Sequence, residues 1–95
     1  MTLVFAKKIT AQHILVNLEY EALDILKKLE SGVSFEKLAS DFSECPSGKN
    51  GGSLGEFGKG QMVPSFEKAA FSLQVGEVSK PVRTQFGFHI IKRLA

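Results

Sequence analysis

Ninety-five residues, 43% hydrophobic and 23% charged, are enough for one domain with a single core and too apolar for a wholly disordered chain. A formal charge of +2, without any Lys or Arg run, argues against nucleic acid as the main partner. The lone cysteine, Cys45, allows no internal disulfide, and the brief apolar run in MTLVFAKK is neither a secretory signal nor a membrane span. A soluble cytoplasmic protein is therefore expected, although a domain cut from a longer secreted chain would read the same way.

Residues 9–16 (ITAQHILV) are β-branched and bounded by polar residues, which predicts a strand with Ile9, Ala11, His13 and Leu15 on one face. From Glu19 to Glu30, Ala22, Ile25, Leu26 and Leu29 fall at i, i+3, i+4, i+7, one helical stripe that ends before Gly32. Ser34 caps a second helix, whose stripe is Phe35, Leu38, Ala39 and Phe42. Residues 43–50 are turn-rich, with room for one helical turn after Pro46. A short strand is expected at residues 54–57. Pro64 then opens a helix whose inward residues are Phe66, Ala69, Ala70 and Leu73, with Gly76 beyond its end. Residues 78–82 read as a short strand, placed at an edge by Pro81, and residues 88–94 as the last strand. Helices and strands do not alternate regularly, so an α+β fold with an antiparallel sheet fits better than a doubly wound one.

Six of the nine glycines lie between Gly48 and Gly60, and Leu54, Met62 and Phe66 emerge among and after them. Glycine permits close backbone approach, and Leu, Met and an aromatic suit a small apolar ligand. The same three residues also read as ordinary core. His13 and His89 lie in the first and last strands. Pairing of those strands would bring the imidazoles into one hydrogen-bonded unit, and Thr84 stands close enough in sequence to fix a tautomer.

Other chemistries fit less well. Cys45 with either histidine supplies a nucleophile and a base on paper, but nothing marks an orienting group or an oxyanion hole. Two distant histidines and one cysteine lack metal-ligand spacing. Gly58-Lys59 is followed by Gly60 where a P-loop needs Ser or Thr, so phosphate cradling is not indicated. No cofactor or metal is expected.

Taken together, AQHILV (11–16), FEKLASDFSECPSGKNGGSLGEF (35–57), GQMVPSFEKAAFSL (60–73), GEVSKPV (76–82) and TQFGFHIIK (84–92) resemble the parvulin family of peptidyl-prolyl cis/trans isomerases. The likeness is greatest to the small single-domain bacterial parvulins. It implies a parvulin-like (FKBP-like superfold) α+β domain over residues 1–95, the first eight residues being a flexible start. Its four-stranded antiparallel sheet would be surrounded by four helices in the order βαααβαββ, with the first and last strands adjacent at the centre.

The resemblance places His13 and His89 as the paired histidines and Thr84 as the hydroxyl that supports them. Cys45 falls on a position held by Cys or Asp across the family, and Leu54, Met62 and Phe66 on its proline pocket. The implied activity is rotation about X-Pro bonds. The implied partners are proline-containing peptides and unfolded or partly folded proteins, met by a monomer without nucleic acid or membrane. A module that grips the same peptides without turning them over is the alternative. Two departures stand out. The phosphate-directed parvulins carry a basic loop after the first strand, whereas residues 17–21 here read NLEYE, so no phosphate specificity is expected. Phe88 stands where Tyr is frequent.

Overall fold

The computed structural model describes residues 8–95. Strand β1 (Lys8–Val16) is followed by α1 (Glu19–Glu30), α2 (Phe35–Phe42), a 3-10 turn (Pro46–Asn50), β2 (Ser53–Gly58), α3 (Pro64–Ser72), β3 (Val82–Thr84) and β4 (Gly87–Arg93). All three strand pairings are antiparallel and the sheet order is β2-β1-β4-β3. The first and last strands are thus the two central ones. The expectation of a flexible start lies outside the described residues, apart from Lys8, which opens β1.

Local chemistry sets the helix ends. The Ser34 hydroxyl accepts the Lys37 N–H at 3.1 Å, a side-chain cap for α2. At α1 the Glu21 carboxylate reaches back to accept the Leu18 N–H at 3.0 Å. Pro64 occupies the first turn of α3, where its missing N–H costs no helical bond.

The sheet is covered on both faces, and alternation along β1 decides what each face holds. Ile14 and Val16, with Ile90 of β4, pack against Ala22 and Ile25 of α1 and Phe35, Leu38 and Ala39 of α2. Ile9 and Ala11, with Ile91, pack against Phe57, Phe66, Ala70 and Leu73. His13 and Leu15 continue this second face towards one end of the strand.

Two expected elements differ from those observed. The third of the four expected helices, the one after Pro46, is only a 3-10 turn, because PSGKN contains one proline and one glycine and is too short to propagate an α-helix. The third strand begins at Val82, not Val78. Val78 makes only an isolated bridge to Lys92. Ser79 is buried: its N–H donates to the Ile91 carbonyl at 2.8 Å and its hydroxyl accepts the Ile91 N–H at 3.0 Å. Pro81 has no N–H for a ladder, so regular pairing resumes only after it.

Candidate active site

Strand register brings the two histidines together. His13 lies opposite Ile91 and Leu15 opposite His89, so the imidazoles are diagonal neighbours on one face of the central pair. Their Nδ1 atoms are 3.0 Å apart, and their rings are near-parallel with centroids 5.2 Å apart. The outer nitrogens are also engaged: His89 Nε2 lies 2.7 Å from Thr84 Oγ1, and His13 Nε2 lies 3.1 Å from Ser47 Oγ. Ser47 Oγ is in turn 3.2 Å from Cys45 Sγ. A continuous chain therefore runs Thr84–His89–His13–Ser47–Cys45.

Each hydroxyl in this chain both donates and accepts, so the protons can be written in one sense throughout. Thr84 Oγ1 accepts the Phe86 N–H at 3.1 Å, which leaves its own O–H free to donate to His89 Nε2. His89 Nδ1–H then donates to His13 Nδ1, His13 Nε2–H to Ser47, and Ser47 to the sulfur. Both imidazoles are neutral in this arrangement. Burial agrees: it pushes the His13 pKa down to about 4, with His89 beside it adding to the fall, and burial lowers that of His89 as well.

The apolar part of the site stands over the pair. Phe66, 3% exposed, meets both imidazoles at 82°, with centroids 5.6 Å from His13 and 5.1 Å from His89. A cleft of about 430 Å³ opens beside them, lined also by Leu54, Met62, Val63, Cys45, Leu15, Glu44 and Phe86. All seven residues singled out from the sequence, His13, Cys45, Leu54, Met62, Phe66, Thr84 and His89, meet in this cleft or its supporting chain. Phe66 is at once core and cleft wall. A groove of about 450 Å³ on the other side, beside Tyr20 and Phe42, contains none of the chain's groups.

Two backbone features aim these groups. Ala11 pairs with Gly55 and Gln12 with Ser53, which leaves Leu54 as the extra residue of a β-bulge beside Gly55 at φ +69°. A bulge re-aims one side chain, and here Leu54 lines the cleft with His13. Gly52, at φ +83°, accepts the His13 N–H at 2.9 Å, and any Cβ there would collide with the His13 carbonyl oxygen. The turn thus closes directly onto the histidine's backbone.

Sequence reasoning missed Ser47 and Gln12. Ser47 links the thiol to the histidines, yet in a Ser- and Gly-rich turn nothing distinguishes it from any other serine. Gln12, 4% exposed, donates to Glu36 at 2.7 Å and to the Gly51 carbonyl at 3.1 Å, tying α2 to the glycine loop. The Gln12 N–H is the main cause that holds the Glu36 carboxyl below its usual range. Gln12 Oε1 is buried without a partner among the described residues.

Cys45 and His13 each contact Ser47, so this sulfur has no direct imidazole base. Among the described residues, no three His, Cys, Asp or Glu side chains are grouped to hold a metal ion. The arrangement suits noncovalent work: an apolar wall holds a ring, and neutral dipoles face whatever polar group lies beside it.

Fold and site fit an isomerase-type domain. The chain belongs to the PPIC-type PPIase (rotamase) domain family, whose model matches residues 6–95, and it is a peptidyl-prolyl cis/trans isomerase domain of the parvulin kind. It is 53% identical over 89 residues to the foldase protein PrsA of Geobacillus kaustophilus, covering 93% of this chain and 32% of that protein. The chain thus spans about a third of the length of such curated relatives. It is similar along its whole length to two smaller solved proteins. NmPin, the parvulin of Nitrosopumilus maritimus, matches with a TM-score of 0.86 and 53% identity, covering 97% of this chain and 100% of that one. CsPin of Cenarchaeum symbiosum matches with a TM-score of 0.83 and 51% identity, covering 100% and 99%.

Proposed function

We propose that this domain rotates X-Pro bonds in peptides and partly folded polypeptides, without metal or cofactor and without preference for phosphate. The observation that carries the proposal is the apolar cleft of Leu54, Met62 and Phe66 set against a neutral, hydrogen-bonded histidine pair. The barrier to be lowered is the partial double bond of the amide, about 18–20 kcal/mol. Rotation breaks no covalent bond. Gripping the proline ring fixes one side of that bond while the preceding carbonyl turns. A site that excludes water favours the twisted, less conjugated amide over the planar one. In this reading Phe66 and Met62 hold the ring, while Cys45 and the imidazoles set the polarity beside the moving oxygen.

The absence of phosphate selectivity is supported by charge. No Lys or Arg lines the cleft among the described residues, and its one charged wall residue is Glu44. The connection from β1 to α1 is only Asn17 and Leu18, after which come Glu19 and Glu21. Phosphate recognition needs converging cationic donors, and among the described residues none lines the cleft.

The test is a protease-free isomerisation assay on matched Leu-Pro and phosphoserine-Pro peptides. Turnover of the leucine peptide at no less than the phosphorylated rate is expected. Preference for phosphoserine would overturn the specificity. Binding of both peptides without acceleration would make the domain a peptide-gripping module, in the sense of a holdase.

A further inference from the structure

The cleft has two ends, and strand register separates them. Leu54 stands at the level of Ala11 and Gln12, whereas Leu15 lies three to four residues further along β1, roughly 10 Å away at strand rise. Leu15, Phe86 and Glu44 all line this cleft, and Leu15 sits beside the segment that carries Phe86, since a Cβ on Gly87 would lie 3.3 Å from Leu15 Cδ1. Glu44 is fixed there by its backbone: its N–H donates to the Leu15 carbonyl at 2.7 Å. On either side of it, the Ser43 hydroxyl accepts the N–H groups of Leu15 and Cys45 at 3.1 and 3.3 Å. Phe86 is 57% exposed and Leu15 only partly covered, so this end offers apolar surface with one carboxylate beside it.

No described cation lies within ion-pair distance of that carboxylate; the two ion pairs are Asp24–Lys28 and Asp41–Lys37, both elsewhere. Lys49 shares an outer hollow with Glu44 but does not pair with it. An unpaired acid at the margin of apolar surface matches one type of side chain: a long apolar stem ending in a cation. The stem would cover Leu15 and Phe86, and the head would meet Glu44 and the face of the Phe86 ring. Cys45, next to Glu44 in the chain, is the group assigned to the rotating carbonyl. That carbonyl belongs to the residue before proline.

We infer that Glu44 makes this domain select Lys or Arg immediately before proline, with Leu15 and Phe86 forming the apolar part of that subsite. The inference rests on the isomerase reading above and adds a substrate class to it. An acidic residue in the same place would meet Glu44 as a like charge.

The test measures kcat/KM for matched peptides with Arg, Lys, Leu or Glu before proline, on the protein and on Glu44→Gln and Glu44→Lys. The ratio of Arg to Leu is the quantity read, because both rates come from one sample and the folded fraction cancels. A rim ion pair predicts a ratio of about 1.4 to 5 at low salt, decreasing as ionic strength rises. Glu44→Gln should bring the ratio close to one, and Glu44→Lys should favour the Glu peptide. If the Leu peptide turns over and Arg is no faster, the inference is overturned and the isomerase reading stands. A preference for Arg that survives Glu44→Gln overturns it equally. If no peptide turns over on folded protein, the isomerase reading itself is lost, and the subsite with it.

Discussion

Acid should destabilise this domain through its histidine pair, with the loss beginning below about pH 6.5, above the ordinary carboxylate range. Burial lowers the His13 pKa from 6.5 to about 4 in the folded state, so as pH falls the unfolded chain takes up this proton first. The contribution is therefore fully present above about pH 6.5 and is lost as pH falls towards 4. At about 1.4 kcal/mol per tenfold change, that difference corresponds to about 3 kcal/mol. His89 is shifted in the same direction and adds to the loss. Against a typical total of about 5–15 kcal/mol, this is a large fraction. The measurement is urea denaturation followed by circular dichroism at several values between about pH 7.5 and about pH 4.5. Glu36, whose carboxyl the Gln12 hydrogen bond holds below its usual range, adds to the loss only at the acid edge of that window. The protein should lose stability across the interval. His13→Gln should be less stable at neutral pH, since it breaks the buried pair, but should show a much flatter profile. A flat profile for the unmodified protein, or an unchanged slope in His13→Gln, would refute the assignment. If His13→Gln folded fully and had no activity at all, the imidazole would have a direct chemical role in place of the supporting one.

Phe66→Ala is expected to cost about 3–5 kcal/mol of stability, because the ring is buried against both imidazoles, whereas half-buried Met62→Ala should lower kcat/KM with a much smaller melting shift. Thermal melts beside rates decide this, and equal melting losses would return Met62 to the core. Cys45→Asp should retain substantial isomerase activity and Cys45→Ala some, since the sulfur has no direct imidazole base; a folded Asp variant at the uncatalysed rate would show the thiol to be essential. Gly52→Ala should destabilise by more than about 1 kcal/mol, because its Cβ collides with the His13 carbonyl and φ is +83°. Urea titration reads the effect, and a neutral result would mean that the turn can retreat from β1.

The parts of this molecule that the sequence revealed are those governed by local pattern. The stripe of α1 was readable from Ala22, Ile25, Leu26 and Leu29, and the faces of β1 from alternation; Ala22 and Ile25 are buried, with Leu26 and Leu29 partly so. The candidate site residues are legible only through ordered motifs and their resemblance to a family, because spacing alone cannot show that His13 and His89 meet. Their contact depends on strand register. Positions governed by tertiary packing were missed. Residues 78–82 read as a strand in the sequence, yet Ser79 turns inward to bond Ile91 and Pro81 interrupts the ladder. Leu54 was chosen for its chemistry, but its direction comes from a bulge set by pairing with β1. Nothing in the local pattern of β1 singles out Gln12. It is buried because α2 brings Glu36 over it.

The sheet order also bears on how the domain comes into being. A ribosome delivers β1 first and β4 last, yet these two strands lie side by side at the centre, and the histidines that touch are 76 positions apart. Until residues 87–93 have emerged, β1 has only β2 beside it, β3 has no neighbour, and His13 has no partner imidazole. Closing so long a loop comes before most of the stabilising contacts can form, which makes folding slow and late for a chain of this size. A nascent copy therefore cannot help itself: the proline-handling cleft exists only once synthesis has passed β4.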